Sequence, residues 1–180
     1  MKKYRFPVLA LAGALIIGGC SEKSASSNIN EPVAGARVVR IDGSRFIEDA
    51  IAMVPGSVSG VSSSIDDKSG AARVAVSVTP STGGLVVVHF DAEQNIVAGI
   101  EGKGAAVHAV VEPGPYFIPV SLAVDLARRE VAGEVQGWSF ERDPRNNLWV
   151  YNVEILDDSD LRHSVVLNAI SKSIIESSPI

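Results

Sequence analysis

The sequence repeats itself at a fixed offset of 77 residues, and this repeat limits the possible folds more than any other feature. The clearer copy runs from Ser121 to Ala169 and contains a G-x-V-x-G pattern at 133–137. Subtracting the offset, without a gap, gives the same pattern at 56–60 and aligns Val88–Ala92 with Val165–Ala169. Because one offset holds through several successive segments, we infer a tandem duplication, with a period too long for a solenoid.

Each copy reads as one helix followed by alternating strands. Ser44 and Ser121 are placed to cap helices, because a serine hydroxyl can accept an unpaired N–H of the first turn. Apolar residues recur at helical spacing after each serine, and then at every second position in 74–78, 86–90, 151–155 and 163–167. The pattern predicts an α+β fold with two tandem repeats, each a helix packed on an antiparallel sheet of three to four strands.

This order of helix, Gly-x-Val, alternating strands and a strand ending in Asp-Ala or Asn-Ala resembles the PepSY domain. The second copy resembles it more clearly than the first. A glycine of the family pattern is replaced by Asn95 in one copy and Lys172 in the other. Tandem units of this kind also look like the beta-lactamase inhibitory protein fold. PepSY domains accompany thermolysin-like metalloproteases in their propeptides, so the resemblance implies a binding module that restrains a protease.

The N-terminus has the pattern of a bacterial lipoprotein signal. A basic start and a short apolar run end in Ile17-Gly18-Gly19-Cys20, which resembles a lipobox. We therefore expect a signal peptide at 1–19, a lipidated Cys20 and a flexible tether over 20–36. Ser21 is not the aspartate of an inner-membrane retention signal, so we expect an outer-membrane anchor facing the periplasm. An ordinary signal peptide with an incidental cysteine is the alternative.

The remaining chain divides into repeat 1 at 37–103, a connector at 104–119 and repeat 2 at 120–180. Alternating apolar residues around Val107–Val111 predict an extended strand in the connector. Its proline-rich end, 112–119, predicts a stiff link. Tyr116 and Phe117 pack between the copies or form an exposed recognition loop.

No enzyme motif is found. The 56–60 pattern has Val58 where a nucleophile elbow needs serine, and the three histidines are scattered without zinc-ligand spacing. The acidic residues of Asp157–Asp160 predict a solvated hairpin turn, and a calcium-binding turn is the alternative. The net charge is −5, with the basic residues of the signal included, which disfavours nucleic acid as a partner. We expect no cofactor and no catalytic residue.

The function predicted from sequence is a non-catalytic, lipid-anchored periplasmic binding module. Its partners are the membrane, through Cys20, and an unidentified envelope protein, with a protease as one candidate. The alternatives are a structural or accessory envelope lipoprotein in a membrane-associated assembly, and a hydrolase whose site is built from distant residues. Candidate partner-binding residues are the aromatic ones: Trp138, Trp149, Tyr151, Tyr116 and Phe117. For Trp138, Trp149 and Tyr151, which lie on neighbouring predicted strands, the other interpretation is that they fill the core or cover one face of the sheet.

Overall fold

The computed structural model describes residues 43–65 and 70–180. The predicted signal peptide, Cys20 and the predicted tether lie outside the described residues. The helices are α1 (Gly43–Met53), a 3₁₀ helix (Gly104–His108) and α2 (Val120–Glu130). The strands are β1 (Gly56–Ile65), β2 (Ala72–Pro80), β3 (Leu85–Asp91), β4 (Ile96–Lys103), β5 (Glu134–Arg142), β6 (Trp149–Leu156), β7 (Arg162–Asn168) and β8 (Ile174–Pro179).

All eight strands form one sheet in sequence order, and each neighbouring pair is antiparallel. The predicted fold class, two helix-on-sheet repeats side by side, is therefore wrong. The strands of the two repeats are joined by the pairing of β4 with β5, in which Ile100 lies opposite Phe140. Two separate sheets would leave both of these strands as edges with unpaired backbone groups, and pairing them removes that exposure. The result is a mostly antiparallel-sheet protein with two helices.

Both helices pack on the same face of the sheet. The strand register aligns one continuous row of apolar side chains from β2 to β7: Val76, Val88, Ile100, Phe140, Tyr151 and Leu167. The ring of Phe46 in α1 lies 5.0 Å from that of Phe90, whose side chain is buried on this face. Ala123 and Ala127 of α2 are buried in the same hydrophobic cluster. One core therefore serves the whole sheet.

Two backbone irregularities recur at the 77-residue offset. A β-bulge lies between Val58 and Gly60 in β1 and between Val135 and Gly137 in β5. Asn95 (φ 54°) and Lys172 (φ 67°), which occupy the positions where the PepSY pattern has glycine, both adopt left-handed backbone conformations in the turns that precede β4 and β8. A lysine is accommodated there because the β7–β8 hairpin holds the turn, with Lys172 N–H donating to the Asn168 carbonyl at 3.1 Å.

Two local predictions are wrong. Ser121 lies inside α2, whose N-cap is Pro119, and no side chain caps this helix. The prolyl carbonyl accepts from Leu122 and Ala123 instead, so the backbone begins the helix. The connector strand predicted around Val107–Val111 is in part the 3₁₀ helix Gly104–His108. The apolar residues alternate there because Val107 and its neighbours pack on the core, and not because the segment pairs in the sheet.

Candidate functional site: aromatic cluster and open sheet face

Four aromatic rings form a cluster that joins the connector to β5 and β6. Phe140 stacks on Trp149 with ring centroids 4.6 Å apart and planes 10° from parallel. Phe117 meets Phe140 nearly edge-on at 5.0 Å and lies 5.6 Å from Trp149. Tyr151 completes the cluster at 5.1 Å from Phe140. The cluster fixes the connector against the sheet, as aromatic pairs at these distances stabilise packing.

Trp138 and Tyr151, two of the predicted partner-binding residues, belong to the core. Trp138 is 3% exposed and its Nε1 donates to the Ala106 carbonyl at 3.4 Å. Tyr151 is 0% exposed and its hydroxyl donates to the Ile118 carbonyl at 2.6 Å. Burial raises the pKa of the Tyr151 phenol, so it stays protonated and keeps donating. Neither ring is accessible to a partner in this fold, because each lies on the helix-covered face.

The other three predicted residues differ in exposure. Phe117 and Trp149 are half-buried in the aromatic cluster, and Arg142 lies over the Trp149 ring at 5.5 Å. Tyr116 is 82% exposed. The structure therefore brings Phe117, Trp149 and Tyr151 together as packing residues. Tyr116 is the fully exposed aromatic side chain of the five.

The predicted lipidation site, Cys20, lies outside the described residues. Neither described helix has the length and apolarity needed to span a bilayer.

The acidic turn is an internally bonded hairpin turn. Asp157 Oδ1 accepts from the backbone N–H groups of Ser159 (2.8 Å) and Leu161 (3.0 Å), and Oδ2 lies 2.8 Å from His163 Nε2. The hydrogen bond from His163 is the largest cause that lowers the pKa of Asp157. These contacts occupy both oxygens of the central carboxylate. Within 43–65 and 70–180, no group of three or more His, Cys, Asp or Glu could hold a metal ion.

A second carboxylate with a lowered pKa also has a structural role. Asp143 accepts at Oδ1 from the Arg145 backbone N–H (2.9 Å) and Nε (3.1 Å), and at Oδ2 from Arg145 Nη2 and Asn146 Nδ2. The hydrogen bonds from Arg145 are the largest cause of the lowered pKa. Asp143 also donates its backbone N–H to the Leu148 carbonyl. These hydrogen bonds of Asp143 therefore hold the loop of the β5–β6 hairpin in place.

A cavity of about 620 Å³ lies between the 3₁₀ helix, α2 and the start of β5. Its charged lining residues are His108, Asp125, Arg128 and Glu134, all exposed. None of these four forms an ion pair with another residue in the described part of the chain. Nucleophilic catalysis needs a nucleophile, a base and an orienting group within hydrogen-bond reach. Ser121 lines the cavity together with His108 and Asp125, but no hydrogen bond joins any two of these three residues in the described structure.

The face of the sheet opposite the helices, which we call the open face, carries small and polar side chains. One register row crosses it through Gly60, Ser77, Val87, Glu101, Ser139, Asn152, Val166 and Glu176. At the β4–β5 joint, Gly99 lies opposite Glu141 and leaves a shallow depression of about 130 Å³. The centre of the open face is therefore flat and accessible.

Acidic side chains outnumber basic ones on the open face. The acids are Asp91, Glu101, Glu134, Glu141, Glu154 and Glu176, and the bases are Arg73, Lys103 and Arg162. His89 Nε2 lies 3.3 Å from Glu101 Oε1, and Lys103 Nζ lies 3.9 Å from Glu101 Oε2. Among the described residues, Glu141 and Glu154 have no ion-pair partner. The open face therefore has unneutralised negative charge near its centre.

The comparisons with known proteins give one weak likeness. No family model matches the sequence, and no curated protein matches it. Among solved structures, the chain is similar to a "putative lipoprotein" from Clostridium difficile 630, at 14% sequence identity and a TM-score of 0.37. The match covers 77% of this chain and 91% of that chain. A likeness at this level carries no argument about function, which rests on the residues described above.

Proposed function

We propose that this protein is a lipid-anchored, non-catalytic binding module of the bacterial envelope, which docks a protein partner on its open face. The single observation that supports this most is the position of the two helices. Both lie on one face of the eight-stranded sheet, and among the described residues neither helix covers the other face. A broad accessible sheet surface suits protein docking better than small-molecule turnover, which uses an enclosed pocket.

The charge of the open face defines the partner's chemistry. Glu141 and Glu154 lie on neighbouring strands and form no ion pair in the described structure. A basic patch on a protein would neutralise them, and complementary charge steers encounter and fixes the register of docking. The proposed partner is therefore an envelope protein with a basic surface, with a protease as the class that the PepSY resemblance suggests.

The proposed lipid anchor would hold this surface in the periplasm. The lipobox-like sequence ending at Cys20 supports acylation of that cysteine, and Ser21 supports transfer to the outer membrane. Two or more acyl chains hold a protein stably on a bilayer, at about 0.8 kcal/mol per buried CH₂.

Site-specific photo-crosslinking in cells tests the docking face. A photoreactive amino acid at Glu141 samples the open face, and the matched control at Arg129 samples the exposed side of α2. We expect a discrete adduct of defined mass from position 141 and none of that mass from position 129. Identification of the adduct then separates a protease from a component of a structural assembly. The same adduct from both positions, or no adduct from position 141, contradicts docking on the open face.

A further inference from the structure

The two edge strands of the sheet differ in how they are protected. β8 is six residues long and contains Glu176 and Pro179. Charge, proline and short length are the devices that keep an edge from pairing with another strand. β1 is ten residues long, GSVSGVSSSI, and contains no charged residue and no proline. Its bulge between Val58 and Gly60 interrupts only the first half of the strand.

The unprotected half of β1 also exposes apolar side chains. Val61 lies opposite the core residue Val76, and Ile65 lies opposite Ala72, so both project on the helix-covered face. Val61 is 47% exposed and Ile65 is 67% exposed, because no strand lies beyond them among the described residues. Serines occupy the three positions between them. This edge strand therefore carries exposed apolar side chains on one face and small serine side chains on the other.

We propose that β1 pairs with β1 of a second copy, antiparallel, about a two-fold axis at Ser63. In this register Val61 lies opposite Ile65 of the second copy, and the reverse pair follows by symmetry. Ser62 then lies opposite Ser64 of the second copy on the open face. Both exposed apolar side chains are covered at once, which is the self-complementarity that a two-fold interface requires.

Other registers and other strands satisfy these conditions less well. Moving the axis to Ser62 leaves both apolar residues opposite serines, and a one-residue slip of the strand would place them on the wrong face. Pairing two identical strands also brings like charges close together, which opposes pairing. β1 contains no charged residue and avoids this repulsion. In β8, by contrast, the charged Glu176 and the missing N–H of Pro179 oppose such pairing. β1 is therefore the edge suited to a second copy.

A cysteine placed at the axis tests this pairing directly. Cys20 is the only cysteine, so a chain that begins at Ser21 has no thiol. That chain keeps every residue of the described core, which runs from Phe46 to Ala169. Side chains directly opposite on paired strands are close enough for a disulfide. Ser63→Cys should convert to a disulfide-linked dimer under mild oxidation. The matched control Ser177→Cys, equally exposed but on β8, should stay monomeric on non-reducing electrophoresis.

A second measurement uses mass in solution by light scattering. The chain from Ser21 should have the mass of a dimer, and Ser63→Lys should shift it to that of a monomer by placing two lysines face to face. Ser177→Lys should leave the dimer unchanged, and circular dichroism should show that both variants are folded. Equal crosslinking of the two cysteine variants would overturn the proposal, as would a monomeric parent chain or a dimer that survives Ser63→Lys.

Discussion

Trp138 packs directly against Gly102 in the middle of the sheet, and this contact predicts a large effect from one added methyl group. A Cβ added at Gly102 would lie 2.6 Å from both Cε2 and Cζ2 of the indole. Carbon atoms in contact prefer about 3.5–4.0 Å, so the ring would have to move by roughly 1 Å. Trp138 is buried and bonded to the Ala106 carbonyl, so that movement disturbs the core. We expect Gly102→Ala to lower the free energy of unfolding by about 1–3 kcal/mol.

A second strand glycine provides the matched control. A Cβ at Gly60 would lie 3.9 Å from the Ser77 Cβ, an ordinary contact, so Gly60→Ala should be neutral or stabilise by up to about 1 kcal/mol. Urea unfolding followed by circular dichroism gives both values. Trp138→Phe should reduce the cost of Gly102→Ala in a double-mutant cycle, because it removes the indole atoms that collide. Equal unfolding midpoints for the two alanine variants would refute the packing described for Trp138.

Three further predictions concern single side chains. Tyr151→Phe should cost about 1–2 kcal/mol in urea unfolding, because it leaves the buried Ile118 carbonyl without its donor; no change would mean that the hydroxyl bond adds nothing. Since the folded-state pKa of Asp157 is below 3.8, its contribution is present above that pH and is lost as the pH falls through the folded value. Asp157→Asn should therefore flatten the acid limb of a stability–pH curve, and an unaltered limb would contradict this. Cys20→Ser should abolish labelling by radioactive palmitate and release the protein from the membrane fraction; persistence of both would rule out the lipobox.

Local periodicity predicted the strands well and the assembly of the sheet poorly. Strands are present where apolar residues alternate, at 74–78, 86–90, 151–155 and 163–167. The pairing of β4 with β5 joins Ile100 to Phe140, and no local pattern encodes a contact between strands separated by a connector and a helix. Local patterns alone therefore predict two small sheets. The cost of two additional exposed edges is the physical reason that should have favoured one sheet.

In the candidate site, too, the features set by local sequence were predictable, and those set by distant contacts were not. Tyr151 alternates with Val153 and Ile155, so its burial was readable from the strand pattern. Trp138 alternates with Phe140 in the same way. The exposure of Tyr116 depends on how the connector folds back, which spacing does not report. The negative charge of the open face could not be predicted from the sequence either. Its acidic residues come from five strands, and only the complete sheet fixes their register.

The central claim is that a protein partner covers the open face in the cell, and thiol accessibility tests it most directly. The proposed acylation of Cys20 would block its reaction with maleimide, so that a cysteine introduced at Glu141 would be the only reactive thiol of the chain. We predict that Glu141→Cys labels slowly in intact envelopes and rapidly after purification. The control Arg129→Cys, on the exposed side of α2, should label at the same rate in both. Equal labelling of Glu141→Cys in envelopes and in purified protein would contradict the proposed docking surface.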